Sequence, residues 1–134
     1  MSNRHTLDGV VEAGRGLGVP RMSQGDTLVR LRELIGLQVI PGTLNVRLDE
    51  PIDRSLLTQY FPASELSNDW GSKTGQVGYF WATVLIEGTY SGVIIQADEP
   101  GYPLDLVEVL SDTHLRQALE LDAGDSIRLS FVAP

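Results

Sequence analysis

The chain has 134 residues, with 10 Lys and Arg against 18 Asp and Glu and a formal net charge of -8. That is the size of one domain and the wrong sign for counterion-release binding to duplex nucleic acid. With no cysteine and only two histidines, His5 and His114, there is no disulfide framework, no thiolate nucleophile and no Cys- or His-rich metal site, so any metal would be held by oxygen.

At 42% hydrophobic and 21% charged residues the composition is that of a folded globular unit with a sizeable core. The nine arginines are scattered and Lys73 is the one lysine, so no basic patch offsets the acidic balance. No run of eighteen apolar residues exists, and residues 1–6 are polar. The expectation is a soluble, cytoplasmic protein without a membrane or nucleic-acid partner. No internal repeat, low-complexity tract or compositional break divides the chain, so residues 1–134 read as a single domain.

In chain order, residues 7–12 (Leu-Asp-Gly-Val-Val-Glu) read as a strand that enters the glycine cluster Gly14-Arg15-Gly16-Leu17-Gly18. Asp26 or Thr27 is placed to cap a helix whose apolar residues Leu28, Leu31, Leu34 and Ile35 recur at spacings of three and four, with Gly36 as its stop. After Pro41-Gly42, Leu44, Val46 and Leu48 alternate with Thr43, Asn45, Arg47 and Asp49, the pattern of a half-buried strand with Thr43 and Asn45 on one face. A helical turn is predicted within residues 53–61, and the polar, glycine-containing stretch 62–78 reads as a long surface loop. Strands over residues 79–86 and 89–96 flank Glu87-Gly88, the spacing of a tight hairpin with glycine at positive φ. A turn over residues 98–103 leads to a strand over 104–110. Asp112 is then expected to cap a short helix over 114–120, and residues 126–132 form the last strand. Five or six strands with two short helices predict a small, mainly β barrel, because the regular strand–helix alternation of a doubly wound sheet is absent.

Several residues have the chemistry of a site. Gly14, Gly16 and Gly18 follow a strand, as phosphate-cradling loops do, although neither a dinucleotide fingerprint nor a Walker-type Gly-Lys-Ser/Thr is present; a plain surface turn would use the same residues. Thr43 and Asn45 offer neutral oxygen ligands suited to a Mg²⁺ balanced by bound phosphates, or are simply the polar face of an edge strand. Strict alternation puts Glu108 on the face of Leu106 and Leu110, where a carboxylate needs a donor or a ligand. His114 and Arg116 fall in the first turn of the last helix, where free N–H groups favour a polar or anionic ligand. Trp70, Trp81, Tyr79, Phe80, Tyr90 and Tyr102 are available for stacking on a flat ring, with core packing as the simpler use.

Taken together, Gly9-Val10-Val11-x-x-Gly14-x-Gly16-x-Gly18, Gly36-Leu37-x-x-x-Pro41-Gly42-Thr43-Leu44-Asn45-Val46-x-Leu48, Glu108-Val109-Leu110 with Leu115-Arg116, and Leu119-x-Leu121-x-x-Gly124-Asp125 resemble the archaeal CTP-dependent riboflavin kinases, in the same order over about residues 9 to 130. The resemblance implies a six-stranded cradle-loop β-barrel with two short helices that transfers a phosphoryl group from CTP to riboflavin, giving FMN and CDP. It implies that Arg15, Gly16, Leu17, Gly18, Val19 and Pro20 wrap the nucleotide phosphates. It further implies that Thr43 and Asn45 ligate Mg²⁺, that Thr113, His114, Leu115 and Arg116 contact the cytidine nucleotide, and that Glu108 hydrogen-bonds the flavin. No residue is assigned as general base. Leu17 and Val19-Pro20 stand where the family usually carries an acidic residue and an aromatic, and Glu99-Pro100-Gly101 stands where a threonine is expected. The alternative is a diverged, noncatalytic nucleotide- or flavin-binding barrel.

Overall fold

The computed structural model describes residues 5–13, 25–66 and 77–132. The predicted phosphate-wrapping residues 15–20, Trp70 and most of the predicted 62–78 loop lie outside the described residues.

The described elements are β1 (Thr6–Glu12), α1 (Thr27–Ile35), β2 (Leu44–Leu48), a 3₁₀ turn (Arg54–Leu56), β3 (Gln59–Pro62), a second 3₁₀ turn (Ala63–Glu65), β4 (Gly78–Ile86), β5 (Tyr90–Asp98), β6 (Leu106–Ser111), α2 (Leu115–Ala118) and β7 (Ser126–Phe131). Every strand pairing is antiparallel, in the order β3-β4-β5-β6-β2-β1-β7. Additional pairing of β4 with β7, through Val84 opposite Phe131 and Ile86 opposite Leu129, closes six of the strands into a barrel and leaves β3 as a flap on β4. The expected six-stranded barrel with two short helices is therefore present.

Period-two alternation decides which side chains fill it. Val11, Leu44, Val46, Leu48, Ala82, Val84, Ile86, Ile94, Val107, Val109, Ile127 and Leu129 point inward and form one buried cluster. A second cluster lies outside the barrel wall, where Leu31 and Ile35 of α1, with Val39, Phe61, Ala63 and Leu66, cover Tyr79, Val93, Ile95, Ala97 and Leu110. β5 is thus buried on both faces, which explains its unbroken apolar run Val93-Ile94-Ile95.

α1 begins and ends where the sequence predicts, and Gly36 takes the left-handed conformation (φ 71°) with its N–H bonded to Arg32 O. Asp26 occupies the N-cap position without making a side-chain cap bond. The β4–β5 hairpin turns through Glu87 and Gly88, both at positive φ (51° and 70°), with Thr89 N donating to Ile86 O at 3.1 Å, a pair of left-handed residues that matches the strand twist. Two expectations are corrected. The start of the predicted 62–78 loop is structured: Pro62 ends β3, and Ala63 and Leu66 are buried in the second cluster. Asp112 does not cap the last helix, because its Oδ1 accepts from the Thr113 hydroxyl and the N-cap position falls at His114, two residues later.

Candidate functional site

The outer face of β2 carries Asn45 and Arg47, with Thr43 immediately before the strand. In register, Asn45 lies opposite Glu12 on β1 and opposite Glu108 on β6, so the three side chains form one row across three adjacent strands, about 5 Å between neighbouring Cβ atoms. Thr43 Oγ1 donates to Glu108 Oε1 at 3.1 Å. Thr43, Asn45 and Glu108 are all half-buried. Residues expected separately, two as metal ligands and one as a flavin contact, are therefore neighbours in a single constellation 65 residues apart in sequence.

The donor set suits a hard divalent cation. Thr43 and Asn45 supply a hydroxyl and an amide carbonyl, and Glu108 adds a carboxylate beside them. Among the described residues no group of three or more His, Asp or Glu is arranged to hold a metal. A cation here would keep open positions for water and substrate phosphate oxygens, as Mg²⁺ prefers.

Two further features frame the row. Arg47, two residues after Asn45 on the same face, donates from Nε to Glu12 Oε1 at 3.0 Å and from Nη1 to Asp105 Oδ1 at 2.8 Å. Those bonds, that from Glu12 first, raise the guanidinium pKa above its ordinary value. Tyr102 follows the turn at Gly101 (φ 80°), is half-buried against the second cluster, and has its phenol pushed well above the ordinary range, by burial first and then by the Glu108 carboxylate. The segment carrying Tyr102 is anchored from inside the barrel end by Gln96, which is wholly enclosed: Nε2 donates to Leu104 O (3.1 Å) and Leu106 O (3.0 Å), and Oε1 accepts from Arg54 Nε (3.2 Å). Arg54 in turn lies 4.4 Å over the Phe80 ring.

The expected nucleotide residues near α2 are distributed unevenly. Thr113 is half-buried, with its N–H on Ser111 Oγ, and His114 and Arg116 are exposed. The side chain of Leu115 is buried in the barrel core, which leaves only its main chain available to a ligand. α2 has four residues, too short for a substantial dipole. Arg116 Nη2 reaches Glu12 O at 3.5 Å, which joins this segment to the end of β1. Of the aromatic candidates, Tyr79 is buried, and Phe80 and Tyr90 pack on the barrel interior. Trp81 and Tyr102 are half-exposed on the outer side.

Sequence reasoning overlooked Glu12, Arg47, Asp105 and Gln96. The alternation in Val10-Val11-Glu12 does place Glu12 outward, but nothing local names its neighbour across the sheet.

Comparison with known proteins decides the family. Residues 11–131 match the family model labelled CTP-dep_RFKase and described as "Domain of unknown function DUF120". The chain belongs to the archaeal-type CTP-dependent riboflavin kinase family. Similar curated members of that family are the riboflavin kinases of Methanococcoides burtonii (32% identical over 127 residues, 92% of this chain and 55% of that protein) and Ignicoccus hospitalis (30% over 127 residues, 92% and 69%). A third is that of Aeropyrum pernix (30% over 107 residues, 78% and 80%). The chain spans a little over half the length of the Methanococcoides protein. Of the family pattern, Thr43 and Asn45 of Pro41-Gly42-Thr43-Leu44-Asn45 meet Glu108 on the outer face, while Leu44 points into the core. Among the described residues no helix is long and apolar enough to cross a membrane.

Proposed function

We propose that this chain is a riboflavin kinase that transfers the terminal phosphoryl group of CTP to the riboflavin 5′-hydroxyl, giving FMN and CDP. The observation that carries this reading is the meeting of Thr43, Asn45 and Glu108 in one half-buried cluster, in a chain whose relatives are named riboflavin kinase. In the transfer the 5′-oxygen forms a bond to the terminal phosphorus as the bond to the bridging oxygen of CDP breaks, and the hydroxyl proton leaves to solvent or phosphate. Such a reaction needs positioning and charge neutralisation more than covalent chemistry.

Thr43 Oγ1 and Asn45 Oδ1 are the residues to hold Mg²⁺, which when bound would offset charge on the phosphates. Glu108 accepts a hydrogen bond from the flavin ring, and the Thr43 hydroxyl orients that carboxylate. Tyr102, kept as a neutral phenol, walls the flavin side without adding a charge. The main chain around residues 15–20 wraps the phosphates, and Thr113, His114, the Leu115 main chain and Arg116 face the cytidine nucleotide. Riboflavin and the cytidine nucleotide are then the partners, and the barrel of residues 1–134 acts as one domain in the cytoplasm.

The test is conversion of riboflavin to FMN with Mg²⁺ and either CTP or ATP, read by chromatography. CTP-dependent FMN is expected, with turnover abolished in Thr43→Ala and Asn45→Ala at unchanged melting temperature. Glu108→Gln should raise the riboflavin KM more than the CTP KM. A wild-type protein that binds riboflavin or CDP yet forms no FMN from either nucleotide would instead be the noncatalytic barrel.

A further inference from the structure

Asn45 is a neutral amide between two carboxylates, Glu12 on one neighbouring strand and Glu108 on the other, all on the outer face. Glu108 is engaged by the Thr43 hydroxyl. Glu12 is engaged by Arg47, whose Nε and Nη2 meet Oε1 and Oε2 at 3.0 and 3.4 Å while Nη1 takes Asp105 at 2.8 Å. The three side chains are 35–38% exposed, so solvent screens the network less than it would a fully exposed pair. Only a planar guanidinium can hold one carboxylate with one edge and a second with its remaining nitrogen; an ammonium offers no such fixed fork.

A released Glu12 carboxylate would have two uses in that row, both harmful to phosphoryl transfer. It would take a cation together with Asn45 in the absence of nucleotide, or it would repel the incoming phosphates. We propose that Arg47 is a positioning residue that draws the Glu12 carboxylate off Asn45, leaving that amide for the cation–phosphate pair, while its grip on Asp105 holds the segment that leads from Tyr102 into β6. The inference rests on the kinase reading, because it assumes that a cation and a phosphate meet at Asn45. Arg47 touches neither substrate in this account; it acts through Glu12 and Asp105.

A simple structural weld between β1 and the start of β6 would use the same contacts, but the two roles differ in the sign of their coupling. Calorimetric titration of CDP at fixed MgCl₂, and of MgCl₂ alone, separates them. Arg47→Met should weaken magnesium-dependent CDP binding on the order of tenfold, the effect of an uncompensated carboxylate beside the ligand, and should strengthen binding of Mg²⁺ alone. Glu12→Gln should stay within roughly twofold of wild type, since the carboxylate it removes is already withdrawn. The double variant should recover most of the loss, and Arg47→Lys should fall between. A double variant no better than Arg47→Met overturns the proposal, as does a Glu12→Gln variant that itself loses about tenfold. Glu12→Gln alters a half-exposed side chain and keeps its shape, so this second arm can overturn the proposal even where Arg47→Met does not fold, and Arg47→Lys then carries the coupling test. If wild type binds no CDP with magnesium, it is the kinase reading that fails, and this inference with it.

Discussion

Gly9 of β1 occupies ordinary strand backbone rather than the left-handed region, so its lack of a side chain must answer to space. A Cβ built there would stand 2.5 Å from Arg47 O, 3.1 Å from Arg47 C and 2.9 Å from Val46 Cγ1. Two of the three obstacles are main chain of β2, and the third belongs to a β-branched side chain with no exposure, so none swings aside. In Gly9→Ala, β1 and β2 must separate by about half an ångström or more, which stretches ladder bonds near the limit of useful geometry. Overpacking of this kind costs about 1–3 kcal/mol, at the upper end where backbone must move. The smaller unfolded-state entropy of alanine returns about 0.4–1 kcal/mol. A net destabilisation of about 2 kcal/mol remains. With an unfolding entropy of about 2.1 cal/mol/K per residue over 134 residues, that lowers Tm by about 7 °C. Thermal melting followed by circular dichroism measures it. Because Gly9 faces the barrel interior two positions from Val11, while Glu12 and Asn45 pair just beyond, the same variant should also weaken magnesium-dependent CDP binding. A Gly9→Ala protein melting within about 2 °C of wild type would refute the steric argument.

Gln96→Leu, similar in volume, removes three hydrogen bonds from an enclosed position. Leu104 O keeps the Ile52 N–H and Arg54 can hydrate, so the expected loss is about 2–3 kcal/mol by chemical denaturation; a loss below 1 kcal/mol would show that the amide does not anchor residues 104–106. Tyr102 favours its neutral form in the fold, because burial and Glu108 oppose the phenolate. Its contribution is therefore fully present below the unfolded phenol pKa of about 10 and is lost as pH rises beyond it. Alkaline melts should fall less steeply in Tyr102→Phe than in wild type, with a residual fall from Tyr60, whose pKa is also raised; superimposable curves would place Tyr102 in water.

Local pattern was enough for much of this protein. The alternation Leu44, Val46, Leu48 determined which face of β2 is buried, and Glu87-Gly88 between two apolar runs determined a tight hairpin, although Thr89 joins the connection because Ile86 pairs with Tyr90; both rules depend only on residues adjacent in the chain. The order of motifs from Gly9 to Asp125 likewise indicated the family before any fold was in view. β3 escaped notice because, of its four residues, Phe61 alone is buried, which leaves no period to read. The Asp112 cap was misread because the Thr113 hydroxyl takes its carboxylate. What tertiary structure alone decided is who stands beside whom across the sheet. Glu12, Asn45 and Glu108 are separated by 33 and 63 positions in the sequence and become neighbours only through the β1–β2 and β2–β6 registers. Register is set by closing the barrel so that its apolar residues all point inward. A chain segment carries its own facing preference, but the partner that meets each outward side chain is fixed by the packing of the whole.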